Sequence, residues 1–370
     1  MTGEPVRIGI VLHDFALGGT ERIAVRLANA WSQMGADVEI FCGSDVGPLR
    51  DLLGTTIRVS APPRPIARRW RSVHRLARAA RAHFAAHPVT ALFVPGNYHW
   101  PVARAIAALP RQVRPIVVAQ VSNALEKSGR GGLRQIWFEG RMRRELGGAD
   151  AIVTLAEETA IVARRILPGR TVTTIRLPAL DDATAPPVEV PAGAPLLLAV
   201  GRLVAQKDFL NLVDAFAILA HPTARLAIAG SGPQEAAIRA RIAAHSLSER
   251  VHLCGYVADV RGLLDRSRLV VLSSTHEGFP AVIIEALSAG RQVVATDCTP
   301  AARQLLGAPL TGRVVAIGDP AALAAAIAAV LAGPAPDPAA LARHVDGFKI
   351  GPIARSYLDL MSAPAALQIK

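Results

Sequence analysis

Between residues 196 and 296 short apolar runs alternate with helix-like stretches, and that alternation restricts the chain to few folds. The runs at 196–200, 225–229, 251–254, 269–272 and 292–296 are four or five residues long and mostly apolar. A strand covered on one face alternates apolar and polar residues, whereas one covered on both faces reads as a continuous apolar run. Helical patterns at 209–219, from Pro233 and at 260–265 fill the intervals, so a parallel sheet with helices on both faces is expected. The first half has the same rhythm, with strands expected at 7–12, 38–41, 91–94, 116–119 and 151–155. Its first helix carries Ile23, Leu27, Ala30, Trp31 and Met34 at helical spacing.

Residues 177–195 hold five prolines and no periodicity, which marks an exposed linker. The expected class is therefore α/β, with two doubly wound Rossmann-like domains facing each other across a cleft. The first domain is expected at 1–178, the linker at 179–195 and the second domain at 196–346. A C-terminal helix over about 347–370 is expected to pack back on the first domain. Ligands of such folds bind at the carboxyl ends of the strands, here expected in the cleft.

Composition narrows the class further. With 51% apolar residues in 370, the chain is globular and too long for one ordinary core. Cys42, Cys254 and Cys298 are far apart and form no Cys-x-x-Cys pair. That argues against a disulfide framework or zinc knuckle and for a reducing compartment. The N-terminal residues are short and polar, without signal-peptide architecture. The longest apolar stretch, around 321–332, falls short of the roughly 20 residues a spanning helix needs. A cytoplasmic protein is expected, either free or peripheral on the inner face of the cytoplasmic membrane.

Three loops of the second half follow strands. The first holds Arg202 and Lys207, two cations five apart that either clamp a diphosphate or are ordinary surface charges. The second is Gly230-Ser231-Gly232-Pro233. Its glycines either admit a ligand or merely form a tight turn, and they do not complete a Gly-x-Gly-x-x-Gly pattern. The third runs from Ser274 to Gly290 and places Glu277 and Glu285 eight residues apart. Pro280 marks a helix start there, so free first-turn amides can face an anion. On that helix Glu285 shares a stripe with the small residues Ala281, Ser288 and Ala289, flanked by Ile283, Ile284 and Leu287. Burying a carboxylate there is costly without donors. Either the hydroxyls of a sugar or ribose supply them, or the side chain reaches solvent.

The order Arg-x4-Lys, Gly-x-Gly-Pro and Glu-Gly-Phe-Pro followed by a second Glu resembles the donor-binding domain of glycosyltransferase family 4. These group 1 glycosyl transferases are retaining enzymes of the two-domain GT-B fold. The resemblance runs along nearly the whole chain and includes Gly-Gly-x-Glu-Arg at 18–22. It implies that Glu277, Arg202 and Lys207 form the catalytic set, with the two cations on the nucleotide-sugar diphosphate and Glu277 on hydroxyls of the transferred sugar. Glu285 would accept from the ribose hydroxyls. Gly230, Gly232, Gly278, Phe279, Pro280 and Ala281 would line the donor's phosphates, and Tyr256 and Val257 would lie near the base. Gly18 and Gly19 would approach phosphate or acceptor. The family often carries a His after the strand at 116–119, and residues 118–123 here contain none. Ser122 and Asn123, or His99 and His13 from neighbouring loops, are the candidates for its contact with sugar or acceptor.

Transfer expels a nucleoside diphosphate, so the site has to stabilise charge growing on the leaving phosphate. Two cations and a helix N-terminus can do this without a divalent ion. No Asp-x-Asp occurs in the chain. Neither metal nor cofactor is expected, and a UDP- or GDP-linked sugar is the expected substrate. The resemblance implies a hexosyltransferase acting on a glycan, lipid-linked, in bacterial surface polysaccharide or lipopolysaccharide assembly. Two other classes share the fold. A nucleotide-sugar epimerase would need acid and base groups at the cleft and no acceptor. A catalytically silent nucleotide-sugar-binding partner subunit would not need Arg202, Lys207, Glu277 and Glu285 all intact.

The net charge of +12 lies entirely in the first half, where residues 1–180 hold 25 Lys and Arg against 13 Asp and Glu. On a helical wheel Arg68, Arg71, Arg75 and Arg78 form one stripe, opposite Trp70, Val73, Leu76, Ala77 and Phe84. A second cluster follows at Arg130, Arg134, Arg141, Arg143 and Arg144. The stripe is either a solvated helix face or a docking surface for an anionic membrane. Nucleic acid is not expected, because aromatic residues are sparse and no recognition motif is present.

Overall fold

The computed structural model describes residues 5–69, 71–123, 125–126, 131–183, 185–189, 193–307 and 311–362. The chain divides into two compact units, Met1–Asp181 with Lys349–Lys370, and Asp182–Phe348. The first contains β1 (Arg7–Leu12), α1 (Gly19–Gln33), β2 (Asp37–Cys42), β3 (Arg58–Ser60), α2 (Ser72–Ala86) and β4 (Ala91–Val94). It continues with α3 (Trp100–Ala107), β5 (Ile116–Val121), α4 (Gly132–Leu146), β6 (Ala151–Thr154), α5 (Glu157–Ile166) and β7 (Thr171–Thr174). Among the described residues its strands form one parallel sheet in the order β3-β2-β1-β4-β5-β6-β7.

The second unit runs β8 (Leu196–Val200), α6 (Phe209–Ile218), β9 (Arg225–Ala229), α7 (Glu235–Ala244), β10 (Val251–Gly255), α8 (Arg261–Arg266) and β11 (Leu269–Leu272). Then come α9 (Ala281–Ser288), β12 (Gln292–Thr296), α10 (Pro300–Leu305), β13 (Gly312–Val315), α11 (Pro320–Ala332) and α12 (Pro338–His344). Its sheet is also parallel, in the order β10-β9-β8-β11-β12-β13. The final helix, α13 (Ile350–Ser362), returns to the first unit. Residues 363–370 of the expected terminal helix lie outside the described residues. Both sheets are thus doubly wound, as the continuous apolar runs require.

Period-two side-chain direction places Ile8, Ile10 and Leu12 of β1 in one core with Leu27 and Trp31 of α1, and Val11 in another with Leu76 and Phe84 of α2. Tyr357 of α13 is buried in the first of these cores, and its hydroxyl accepts from Gln120 Nε2 at 2.9 Å. Trp31 Nε1 donates to the Ala354 carbonyl at 3.0 Å. Burying such aromatics removes roughly 150–250 Å² each, about 4–6 kcal/mol of gross driving force against ~1–2 kcal/mol of side-chain ordering. The second core is built likewise, with Leu197 and Ala199 of β8 packed with Phe209, Leu212 and Phe216 of α6.

Two expectations change. The arginine stripe does not exist as drawn, because α2 begins at Ser72, so Arg68 precedes the helix. Arg71 is its N-cap, in the left-handed region at φ 62°. Arg68 instead reaches back to two carboxylates beside β1 and α1, which outbid a helical position for it. Trp70 and Arg130 lie outside the described residues. The proline-rich segment is only partly the exposed linker expected, because Leu177, Ala179 and Leu180 are buried. The described residues from Asp181 to Glu189 are mostly exposed but tethered: Arg261 donates to the Ala185 and Pro186 carbonyls, and the buried Arg291 to those of Val188 and Glu189. Charged donors satisfy carbonyls that no secondary structure pairs.

Candidate active site

In a doubly wound sheet the connections diverge to opposite faces at the switch point, leaving a crevice beyond the strand ends. In the second unit that point lies between β8 and β11. After β8 the chain makes one 3₁₀ turn, Ala205–Lys207, and then Asp208 adopts a left-handed conformation at φ 47° before α6 starts. Hydrogen bonds tie this loop to the one after β11. Ser273 Oγ donates to the Lys207 carbonyl at 2.8 Å, Thr275 N to that of Gln206 at 2.8 Å, and Gln206 Nε2 to that of His276 at 2.8 Å. From the β12 side, Thr296 Oγ1 donates to the Ser274 carbonyl at 2.6 Å, and Glu277 N donates to that of Cys298 at 3.1 Å.

So held, Lys207 Nζ donates to Glu277 Oε1 at 2.7 Å, and Ser274 Oγ donates to the same oxygen at 2.7 Å. Lys207 and Glu277 side chains are 18% and 11% exposed, which leaves the pair largely desolvated yet open at the surface. Glu277 Oε2 accepts no hydrogen bond among the described residues. Burial, with the Glu277 charge added, pushes the Cys298 thiol beneath this loop up to about 11, so it stays protonated. Ser274, Gln206 and Thr296 were not singled out from sequence. Ser274 sits three residues before Glu277, and that proximity was the available signal.

Arg202 differs from its expected companion: it is exposed, and its side chain has no ion-pair or hydrogen-bond partner among the described residues. The two cations therefore occupy different environments. Gly230 and Gly232 have a reason of their own, independent of any ligand. A Cβ on Gly230 would lie 1.8 Å from the Gly201 carbonyl oxygen, and one on Gly232 would lie 2.5 Å from that of Leu203. The loop after β9 is thus pressed on the loop that carries Arg202. Gln234 N completes the contact by donating to the Leu203 carbonyl at 3.0 Å, which delays α7 to Glu235. Gly278 and Phe279 are half-buried, Pro280 is buried, and Ala281 opens α9. Glu285 is half-buried where the apolar run suggested full burial, and Ser288 Oγ donates to its main-chain carbonyl at 2.8 Å. Tyr256 is exposed and Val257 half-buried, both just past β10.

In the first unit the switch point lies between β1 and β4. Arg68 donates from Nε to Asp14 at 2.9 Å and from Nη2 to Glu21 at 2.6 Å, with its guanidinium 5.2 Å from the centroid of the Tyr98 ring. Burial works against the charge on Asp14, but the His13 ring and Arg68 outweigh it and hold the carboxyl well below its usual range. His13 is fully buried, with Nε2 2.8 Å from Ser72 Oγ, which is itself 3.2 Å from the Tyr98 hydroxyl. His99 is fully buried too. Its Nδ1 lies 2.7 Å from the Pro95 carbonyl, so Nδ1 carries the proton and Nε2 has no partner. Burial pushes His99 down to about 4, leaving it neutral. Ser122 N donates to Asn97 Oδ1 at 2.8 Å, Ser122 Oγ donates to Gln120 Oε1 at 3.0 Å, and Asn123 is exposed. A Cβ on Gly18 would meet the Glu21 carboxylate at 2.1 Å, whereas one on Gly19 would face open space. Among the described residues no group of three or more His, Cys, Asp or Glu is arranged to hold a metal ion.

Two doubly wound, all-parallel units in one chain are the architecture of the GT-B glycosyltransferases, and solved structures match it over nearly the whole length. Sucrose-phosphate synthase of Thermosynechococcus elongatus superposes with a TM-score of 0.76 at 20% identity, covering 96% of this chain and 98% of that one. Anabaena HepE, solved in complex with UDP and glucose, gives 0.76 at 18% identity, covering 97% and 100%. Residues 17–176 match Glycosyltransferase Family 4 and residues 182–344 match Glycosyl transferases group 1. The chain belongs to this glycosyltransferase family. The lipopolysaccharide core biosynthesis glycosyltransferase LpsE of Rhizobium meliloti is 31% identical over 157 residues, 42% of this chain and 44% of that protein. The chain spans less than half the length of the curated relatives it matches.

Proposed function

We propose that this chain is a retaining glycosyltransferase that moves a sugar from a UDP- or GDP-linked donor to a lipid-linked glycan in bacterial surface polysaccharide or lipopolysaccharide assembly. The observation that carries the reading is the Lys207–Glu277–Ser274 arrangement at the carboxyl ends of β8 and β11. An ammonium has three N–H groups, and Glu277 takes one, so Lys207 keeps donors for a phosphate oxygen. Glu277 in turn keeps Oε2 for hydroxyls of the transferred sugar, while Lys207 and Ser274 fix its other oxygen. Arg202, whose side chain has no partner among the described residues, meets the diphosphate from the loop it shares with Lys207.

In the reaction the bond between the anomeric carbon and the diphosphate oxygen breaks, and its electron pair leaves with the nucleoside diphosphate. The acceptor hydroxyl bonds to the same carbon, on the face that retains configuration, and its proton passes to the departing diphosphate oxygen. Arg202, Lys207 and the first-turn amides of α9 oppose the charge that grows on the departing phosphate, where fixed donors have most effect. Glu285, on α9, accepts from the ribose hydroxyls. The reading needs neither a metal nor a cofactor, and the excess positive charge of the first unit brings it to the anionic inner face of the cytoplasmic membrane. Among the described residues no helix is long and apolar enough to cross a membrane.

The test is a panel of UDP- and GDP-sugars with membrane lipid extract as acceptor, reading nucleoside diphosphate release. Release is expected from one donor class and is expected to vanish in Glu277→Ala. Release untouched by that substitution would remove the assignment. Donor binding without release would instead favour a silent partner subunit.

A further inference from the structure

Helix α4 wears its apolar residues on the outside. Leu133, Ile136 and Trp137 are 85%, 66% and 70% exposed. With Gly140 they follow the i, i+3, i+4, i+7 spacing of one helix face. The opposite face holds Met142 and Leu146 in the core, with Phe138 packed against them. On a wheel of 3.6 residues per turn, Arg134 and Arg141 border the exposed stripe on one side and Arg143 on the other. Arg144 continues the stripe towards the helix end. Arg134 and Arg141 have no ion-pair partner among the described residues. Contiguous exposed apolar side chains of this size mark an interaction surface.

Arg144 also lines an open groove of about 710 Å³ between α2, α3 and α4, together with Arg71, Arg78, Arg81 and Arg104. Its single carboxylate, Glu145, is buried and already accepts from Arg144 at 2.9 Å. Arg78 and Arg104 have no salt-bridge or hydrogen-bond partner among the described residues. The apolar stripe and the arginine groove are therefore one continuous surface, joined at Arg144.

A nucleic acid would answer the arginines and leave Leu133, Ile136 and Trp137 in water. A second copy of this chain would cover the stripe and bring arginine against arginine. An anionic bilayer answers both, because its phosphates meet the guanidinium groups while the aliphatic and indole side chains enter at the headgroup boundary, the level at which Trp collects. We propose that α4 and the adjoining arginine groove seat the first unit on a bilayer rich in anionic phospholipid. This rests on the membrane-facing part of the function proposed above and gives that part a place in the fold.

The experiment needs neither donor nor acceptor: co-sedimentation of the full chain with vesicles of phosphatidylcholine alone, or of phosphatidylcholine with phosphatidylglycerol, at low and high salt. Binding to the anionic vesicles alone is expected, weakening as salt rises. Arg78→Ala with Arg104→Ala should weaken it about 25-fold, roughly five-fold per charge. Both residues are exposed, so folding is spared. A blue shift of indole emission should accompany binding and disappear in Trp137→Phe, which still binds. Equal binding to both vesicle types, binding indifferent to the arginine pair, or bound protein with unshifted Trp137 emission would each overturn the proposal. So would a dimer that dissociates in Leu133→Ser/Ile136→Ser, or RNA that displaces the vesicles. Vesicle binding lost while donors are still turned over sinks this inference alone. Vesicle binding intact with no donor turned over sinks the proposed transfer alone.

Discussion

Where β8 meets β11 a lysine touches a glutamate across two loops, while where β1 meets β4 an arginine from outside the sheet spans two carboxylates. Both pairs sit at the switch point of a doubly wound sheet. The first leaves capacity unused: Glu277 Oε2, two N–H groups on Lys207 and the whole guanidinium of Arg202 have no partner among the described residues. The second is nearly saturated, since Arg68 is divided among Asp14, Glu21 and the Tyr98 ring, and the two histidines below it are buried. The same topology thus produces an open polar site in one unit and a closed ionic latch in the other. What differs is whether the charges find their partners within the protein.

Removing a cation from each unit should therefore do opposite things. Lys207→Ala is expected to cut transfer about 10²–10³-fold, the usual cost of losing a group that stabilises the leaving charge, and to lower Tm only modestly because Glu277 keeps its Ser274 donor. A large loss of Tm with turnover intact would invert the comparison. The next effect is a dependence on pH. The folded value of His99, about 4, lies below its unfolded 6.5, so the folded protein binds fewer protons between those values. That contribution is complete above about pH 6.5 and is lost as pH falls towards 4, at up to about 1.4 kcal/mol per pH unit. His99→Gln should flatten that slope in urea unfolding at stepped pH, and an unaltered slope would place the proton elsewhere.

Arg68→Ala should destabilise by about 1–2 kcal/mol, a loss limited by the exposure of the guanidinium. The Asp14 carboxyl is depressed in the folded state, so its share of that energy is present above about pH 4 and fades as pH falls through the folded value. The Tm gap between wild type and variant should accordingly narrow in acid. A gap that holds constant down to the lowest accessible pH would show that packing on Tyr98 matters more than the ion pair. The smallest effect is expected from the exposed residue: Arg202→Ala should weaken UDP binding about five-fold by calorimetry, the ~1 kcal/mol of a solvated charge contact. An unchanged Kd would remove Arg202 from the diphosphate and leave Lys207 to hold it.

Most of the strands were legible because being buried on both faces writes a continuous apolar run. Leu196–Val200, Arg225–Ala229, Leu269–Leu272 and Gln292–Thr296 lie where those runs are. The strands not anticipated are β3, β7 and β13, all at sheet edges. Arg58 and Ser60 of β3 and the three threonines of Thr171–Thr174 carry polar side chains because an edge is half-solvated, and polarity there erases the apolar signal. In the site, the loops bearing Arg202, Lys207 and Glu277 stood out by spacing. The pairing of Lys207 with Glu277 did not, since the two are 70 residues apart.

Periodicity and local motifs are relations among near neighbours in the chain, so the sequence by itself determined two doubly wound units and the loops that carry the charged residues. Which charges are satisfied is a relation across the fold. Arg68 looked like one tooth of a basic stripe until folding brought it to carboxylates 54 and 47 residues away. Leu133, Ile136 and Trp137 have the spacing of a buried helix face, yet the tertiary structure leaves that face uncovered. A helical pattern specifies which side chains share a face, and only packing decides whether that face meets the core or the solvent.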